Sequence, residues 1–218
     1  MSNVLNSNNI GKKFLLSLET RGIKLGLKRT VELFNICNHP EDNLKSIQVI
    51  GTNGKGSTAA TLSSILIASG LKVGLYTSPH LVDLSERIQI NNQVIDNQFI
   101  DNFIDTYRHD IEKLESTFFE VLTVMAACYF NENDVDIAIL ETGLGGRYDS
   151  VTACKANIQL FTKISIDHAH ILGNTIEEIA LDKSCAIHKK SNCFSVIQTN
   201  NVKNILTQKA MDMSASLT

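Results

Sequence analysis

Neither sign of charge dominates this 218-residue sequence: 20 Lys+Arg stand against 23 Asp+Glu, a net charge of −3, with both signs mixed along the chain. A nucleic-acid-binding protein normally carries a basic patch, and none is visible. The five cysteines, Cys37, Cys128, Cys154, Cys185 and Cys193, are odd in number, far apart and make no CxxC pair. That pattern indicates neither a zinc knuckle nor a disulfide framework, and reads as buried thiols of a reducing compartment. No apolar run approaches the length that spans a bilayer. Met1-Ser2-Asn3-Val4-Leu5-Asn6 has neither the charged nor the apolar region of a signal peptide. The expected location is the cytoplasm, with no membrane partner and no nucleic-acid partner. Internal repeats and low-complexity linkers are missing as well. Only two prolines occur. Pro40 falls in the turn cluster His39-Pro40-Glu41-Asp42-Asn43, and Pro79 sets a rigid loop turn beside Ser78.

What is present is a core-forming composition. Hydrophobic residues make up 43% and charged residues 20%, the balance of a soluble domain. The length suits one good-sized domain, or one domain with a fragment of another. Residues 1–9 are Asn- and Ser-rich and read as a frayed start. Apolar residues at helical spacing mark 12–18 and 27–37. Short apolar strands are expected at 46–50, 72–77, 135–140, 156–162 and 194–197, with a small hairpin at 87–95. Helices are expected at 57–69, 97–114, 118–131, 175–188 and 202–213. This alternation predicts an α/β fold, a mostly parallel sheet flanked by helices on both faces. After the last helix the sequence runs into Ser216-Leu217-Thr218, with no capping element in view.

The densest chemical signal is Gly51-Thr52-Asn53-Gly54-Lys55-Gly56-Ser57-Thr58, placed between a predicted strand and a predicted helix. Glycines let consecutive backbone N–H groups turn toward one anion, where Cβ atoms would obstruct. The following helix adds unpaired N–H groups and the positive end of its dipole. Lys55 supplies a mobile charge for β- and γ-phosphates, and Ser57 or Thr58 is placed to meet magnesium. The spacing is GxxGKGS, shorter than the common Walker pattern.

That loop and four further segments resemble the folylpolyglutamate synthase/dihydrofolate synthase branch of the Mur ligase superfamily. The segments are Thr77-Ser78-Pro79-His80-Leu81, Thr117-Phe118-Phe119-Glu120, Glu141-Thr142-Gly143-Leu144-Gly145-Gly146-Arg147, and Asp167-His168 through Leu172-Gly173 to Lys183. Arg21-Gly22-Ile23-Lys24-Leu25-Gly26-Leu27 is similar to the family's N-terminal segment, with Lys24 in place of its usual acidic residue. The resemblance runs from about residue 14 to 213. It implies a P-loop ATPase domain of Mur ligase type over residues 1–218, incomplete at its C-terminal end, with the family's C-terminal Rossmann-like domain absent. The implied activity is ATP-dependent amide ligation: a carboxylate of dihydropteroate or a folate is phosphorylated, and the amine of L-glutamate attacks the acyl phosphate. ATP is then a substrate and Mg2+ the cofactor, and a separate chain is a candidate source of the missing domain.

By the same resemblance Gly51, Thr52, Asn53, Gly54, Lys55, Gly56 and Ser57 bind ATP, and Ser78, Glu141 and His168 hold magnesium. Lys55 and Lys183 serve the chemistry, and the family counterpart of Lys183 carries a carboxyl group as N6-carboxylysine. Here Ser184-Cys185 stands where the family has Ala-Gly. Thr117, Phe118, Phe119, Glu120, Tyr148, Asp149 and Ser150 match segments that contact the pterin-bearing substrate. An aromatic pair beside a carboxylate suits a flat heteroaromatic ring, by stacking and by accepting ring N–H bonds. Arg147 has a donor fork that suits phosphate or a glutamate carboxylate. On residue chemistry alone several assignments stay open. Lys183 reads as a solvated surface lysine, His168 as a loop hydrogen-bonder, and Phe118 and Phe119 as ordinary helix core. Two further readings of the whole chain stand beside the ligase: a non-catalytic nucleotide-binding remnant, and a Mur-type ligase acting on cell-wall precursors.

Overall fold

A computed structural model describes residues 10–218, so the expectation of a frayed start at 1–9 lies outside the described residues. Eight strands form one sheet: β1 (Ser46–Ile50), β2 (Val73–Tyr76), β3 (Ile88–Ile90), β4 (Gln93–Val94), β5 (Ile137–Glu141), β6 (Ile158–Phe161), β7 (Asn192–Ser195) and β8 (Ser216–Leu217). Their order is β4-β3-β2-β5-β1-β6-β7-β8. From β2 to β8 every pairing is parallel, and β3 and β4 close one edge as an antiparallel hairpin. The helices are α1 (Ile10–Ser17), α2 (Lys28–Ile36), α3 (Lys55–Ala68), α4 (Asn97–Lys113), α5 (Phe118–Glu132), the short α6 (Ala169–Leu172), α7 (Ile176–Ser184) and α8 (Asn200–Asp212). None is long and apolar enough to cross a membrane.

Strand β1 lies at the centre, and all five of its residues are buried, as a parallel strand covered on both faces must be. On β5 the two-residue period separates the layers. Ala138 and Leu140 face a core shared with α1, α2, α4 and α5, while Ile139 packs with Ala59 of α3. A third cluster joins Ile50 and Phe161 to α7 and α8. Ten of the fifteen residues of α5 are buried, so it runs inside the layer rather than over it. Its entry is set by a capping box, in which the Glu120 carboxylate accepts from Thr117 N at 2.7 Å and Thr117 Oγ1 from Glu120 N at 3.4 Å.

Two expectations about the far edge are corrected. The strand expected at 194–197 is β7 at Asn192–Ser195, because the ladder runs from Ile158↔Asn192 to Phe161↔Ser195 and β6 ends there. Val196 and Ile197 fall beyond it and are exposed. The chain also does not pass from α8 into unpaired residues: Ser216 and Leu217 pair with Asn192 and Cys193.

Candidate active site

The phosphate loop leaves the C-terminal end of β1 and opens α3. Its first turn is braced by the segment after β6. Thr52 N and Asn53 N donate to the Lys163 carbonyl at 2.9 and 3.4 Å, and Thr52 Oγ1 donates to Ser165 O at 3.0 Å while accepting from Ser165 N at 3.0 Å. Gly51 passes so close to Thr162 that a Cβ would lie 1.9 Å from its hydroxyl oxygen. Gly54 caps α3 with φ at 82°, and it supplies no side-chain hydrogen bond to the helix N-terminus. Lys55 Nζ donates to the Thr52 carbonyl at 3.2 Å.

Neighbouring strands bring the other groups to this end of the sheet. Glu141 ends β5 directly beside β1, buried, and its Oε2 accepts from Ser78 N at 3.0 Å. Gly56 of the phosphate loop packs against the same carboxylate. Burial pushes the Glu141 carboxyl up from the usual range, against the lowering pull of the Ser78 N–H and of the Lys55 charge. His168 is half exposed in a left-handed conformation at the start of α6, its Nε2 3.6 Å from Asp167 Oδ2. It shares a cavity wall with Ser78. Among the described residues, the one trio of His, Cys, Asp or Glu with ligand atoms all within 4.8 Å of each other is His39, Glu41 and Asp42. That trio precedes β1, away from the phosphate loop.

Lys183 corrects the surface reading. It is 4% exposed, and its Nζ donates to the Gly51 carbonyl at 2.8 Å. Burial, helped by the nearby Lys55 charge, pushes its pKa down to about 8. Cys185, which replaces a small residue of the family pattern, sits at the end of α7 and stays partly exposed, accepting from Arg147 Nε at 3.4 Å.

A cavity of about 700 Å³ opens beside these groups, lined by Thr117, Phe119, Glu120, Tyr148, Asp149 and Ser150 together with Ser78, Arg147 and His168. Phe118 is not among its lining residues and packs under the Arg87 guanidinium, 5.2 Å from its ring centre. Phe119 lies 5.7 Å from Tyr76, ring to ring, and over Gly143, where a Cβ would come within 2.5 Å of it. The Glu120 carboxylate is committed: Arg29 Nε donates to both oxygens at 3.0 and 3.1 Å, and Arg29 Nη2 comes within 2.9 Å. Asp149 is buried and accepts from Leu144 N and Val151 N at 2.7 and 3.0 Å. Burial prevails over those donors and lifts its pKa to about 6.

Arg87 was not singled out from the sequence. It is buried, lines the cavity, and donates from Nε to His80 Nδ1 at 2.8 Å. A charge opening the apolar run Arg87-Ile88-Gln89-Ile90 was the available signal. Asp182 was missed for want of any signal, since it reads as a helix-surface carboxylate.

The Mur ligase middle domain matches residues 49–216. The chain is 41% identical over 170 residues to the dihydrofolate synthase/folylpolyglutamate synthase of Bacillus subtilis, covering 75% of this chain and 40% of that protein. It superposes on a folylpolyglutamate synthase of Mycobacterium tuberculosis complexed with ADP and AMPPCP with a TM-score of 0.86 at 28% identity, covering 97% of this chain and 50% of that one. An FPGS–AMPPCP–folate complex gives 0.86 at 29% identity, covering 94% and 53%. The chain thus spans two fifths to about half the length of these relatives. It belongs to the Mur ligase middle-domain family, and in sequence and fold it is similar to folylpolyglutamate and dihydrofolate synthases.

Proposed function

We propose that this chain is the nucleotide-binding part of an ATP-dependent ligase that joins L-glutamate to the carboxylate of a folate or dihydropteroate. One observation carries the reading: the buried Glu141 and Lys183 converge from separate elements on the phosphate loop, beside an aromatic-walled cavity.

In this reading the amides of 51–57 and the open end of α3 hold the triphosphate, because unpaired N–H groups and the helix dipole favour an anion there. Lys55 swings from the Thr52 carbonyl to the terminal phosphates. Phe119 and Tyr148 flank the substrate ring, and Arg147 reaches its acidic end. The donors at Ser78, Glu141 and His168 fit a magnesium ion: a desolvated carboxylate, a hydroxyl beside it, and an imidazole as the less usual member. When bound, the ion neutralises phosphate charge during transfer. Lys183 supports the same region in either of two forms. As an amine it hydrogen-bonds Gly51; with its lowered pKa it also offers the neutral form that adds CO2, giving R–NH–COO− and releasing a proton. The carboxylate so formed is an acidic oxygen ligand in place of a cation.

A cytoplasmic setting accords with five cysteines that are all unpaired. The decisive experiment incubates the purified chain with ATP, Mg2+, dihydropteroate and glutamate and follows ADP release and product mass. Turnover supports the ligase. ATP binding without turnover moves the chain to a nucleotide-binding remnant, and absence of ATP binding overturns the reading.

A further inference from the structure

Two glycines in the loop after β5 face α7 at close range. A Cβ on Gly145 would lie 2.3 Å from Asp182 Oδ2, and one on Gly146 would lie 2.7 Å from the Lys183 Cα. Both positions are therefore shaped around the backbone and carboxylate of 182–183. Gly146 is also gripped through both of the peptide groups it joins. Its N–H donates to Asp182 Oδ2 at 2.8 Å, and its carbonyl accepts from Thr152 Oγ1 at 2.7 Å. Thr152 in turn accepts from Gln48 Nε2 at 2.9 Å, a fully buried side chain on β1. Lys183 closes the circuit by donating to Gly51, the residue that follows β1.

The contacts thus form a ring: β1, Gln48, Thr152, Gly146, Asp182, Lys183, Gly51 and back to β1. Every member except Asp182 is buried, in the interior where hydrogen bonds are strong and hold one geometry. Outside the ring, the polar tie at this end of α7 is the partly exposed Cys185–Arg147 contact. Asp182 is the one acidic link, and its hydrogen-bond partner in the ring is a backbone N–H.

Resting on the ligase reading, we propose that Asp182 is a positioning residue. By holding the Gly146 N–H, it fixes α7 so that the Lys183 amine stays sealed against the phosphate loop. Thr152, itself held by Gln48, grips the Gly146 carbonyl in the next peptide group. Asp182 also lines the cavity; the effect proposed here passes through Lys183.

The test measures how fast cyanate carbamoylates Lys183 in the full chain (R–NH2 + HNCO → R–NH–CO–NH2), read by peptide mass at pH 9, where a shift in the lysine's protonation matters little. Asp182→Ala is expected to speed labelling of Lys183 roughly tenfold or more, as local opening replaces protection. Asp182→Asn, which keeps an acceptor for Gly146 N, is expected to stay near the wild-type rate. Thr152→Val, which removes the other grip, is expected to behave like Asp182→Ala, and serves if that variant does not fold. Ile104→Ala, in the separate core around α4 and α5, controls for general loss of stability and is expected to leave the rate unchanged. The proposal fails if Asp182→Ala labels at the wild-type rate, if Asp182→Asn labels as fast as Asp182→Ala, or if Ile104→Ala does so too. Binding of a fluorescent ATP analogue by the wild-type chain is measured alongside. Its failure would sink the ligase reading while leaving the labelling result standing.

Discussion

The Lys183 amine lies 2.8 Å from the Gly51 carbonyl although the two residues are 132 positions apart in the chain. A cation with almost no access to water is costly, and here a second cation, Lys55, adds to the cost. The contact places a titratable group against the backbone of the phosphate loop itself.

Replacing Lys183 by Met tests that cost. The folded pKa of about 8 lies below the ordinary 10.5. Between those values the unfolded chain keeps a proton that the folded chain has lost, so the Lys183 contribution makes stability climb with pH; below the folded pKa the full penalty stays. In CO2-free buffer at pH 7, Lys183→Met is expected to gain on the order of 1–3 kcal/mol, less whatever the Gly51 hydrogen bond contributes. The gain should shrink toward pH 10. Urea melts at both pH values check it, and a loss of stability at pH 7 would contradict the burial argument.

The same lowered pKa raises the share of neutral Lys183 amine, the form that binds CO2. In 13C-labelled bicarbonate near pH 8, a carbamate carbon resonance is expected for the wild-type chain and none for Lys183→Met. An unmodified lysine in protein that turns over would show that the amine form is the working one.

Glu141→Gln keeps an acceptor for the Ser78 N–H and removes a desolvated charge. The expected outcome is a higher melting temperature at pH 7 together with nucleotide binding that no longer tightens when Mg2+ is added. Titration of a fluorescent ATP analogue with and without Mg2+ decides it. Unchanged Mg2+ dependence would remove Glu141 from the ion site.

Arg29 and Glu120 form a partly buried pair in which the carboxylate is the deeper partner. Removing the arginine strands the charge, so Arg29→Ala is expected to cost about 3 kcal/mol, and Arg29→Ala with Glu120→Gln clearly less. A double-mutant cycle by denaturant unfolding measures the difference.

Gly143→Ala pushes a methyl group into the Phe119 ring, an overpacking that costs about 1–3 kcal/mol. Because Phe119 lines the cavity and the phosphate loop lies elsewhere, pteroate binding should weaken several times more than ATP binding. Equal losses would show that the cavity wall and the nucleotide site are not separate.

The strand-to-loop-to-helix setting of 51–57 was legible because the chemistry and the local structure use the same residues. Glu141 was named through the resemblance of the segment it opens, and its burial at the end of β5 gives that assignment a physical ground. The burial of Lys183 was not legible: its helix, Ile176–Ser184, has acidic and apolar residues interleaved, and nothing local says which face meets the phosphate loop. That face is set by Gly145 and Gly146, about 37 positions earlier in the chain. Arg87 and Asp182 were hidden for the same reason, since their neighbours come from other elements. The two-residue shift of β7 is a register effect, decided by where β6 ends rather than by the residues of 192–197.

Strand β1 has β5 on one side and β6 on the other, partners about 90 and 110 residues downstream. Folding must therefore bring distant stretches of chain together before the middle of the sheet exists, a slow and late event in a chain of such topology. On the proposed reading, a nucleotide held by residues 51–57 beside Lys183 selects for molecules that have finished this assembly and stabilises them by mass action. On that reading, nucleotide supply and the yield of correctly wound protein are coupled through that one strand.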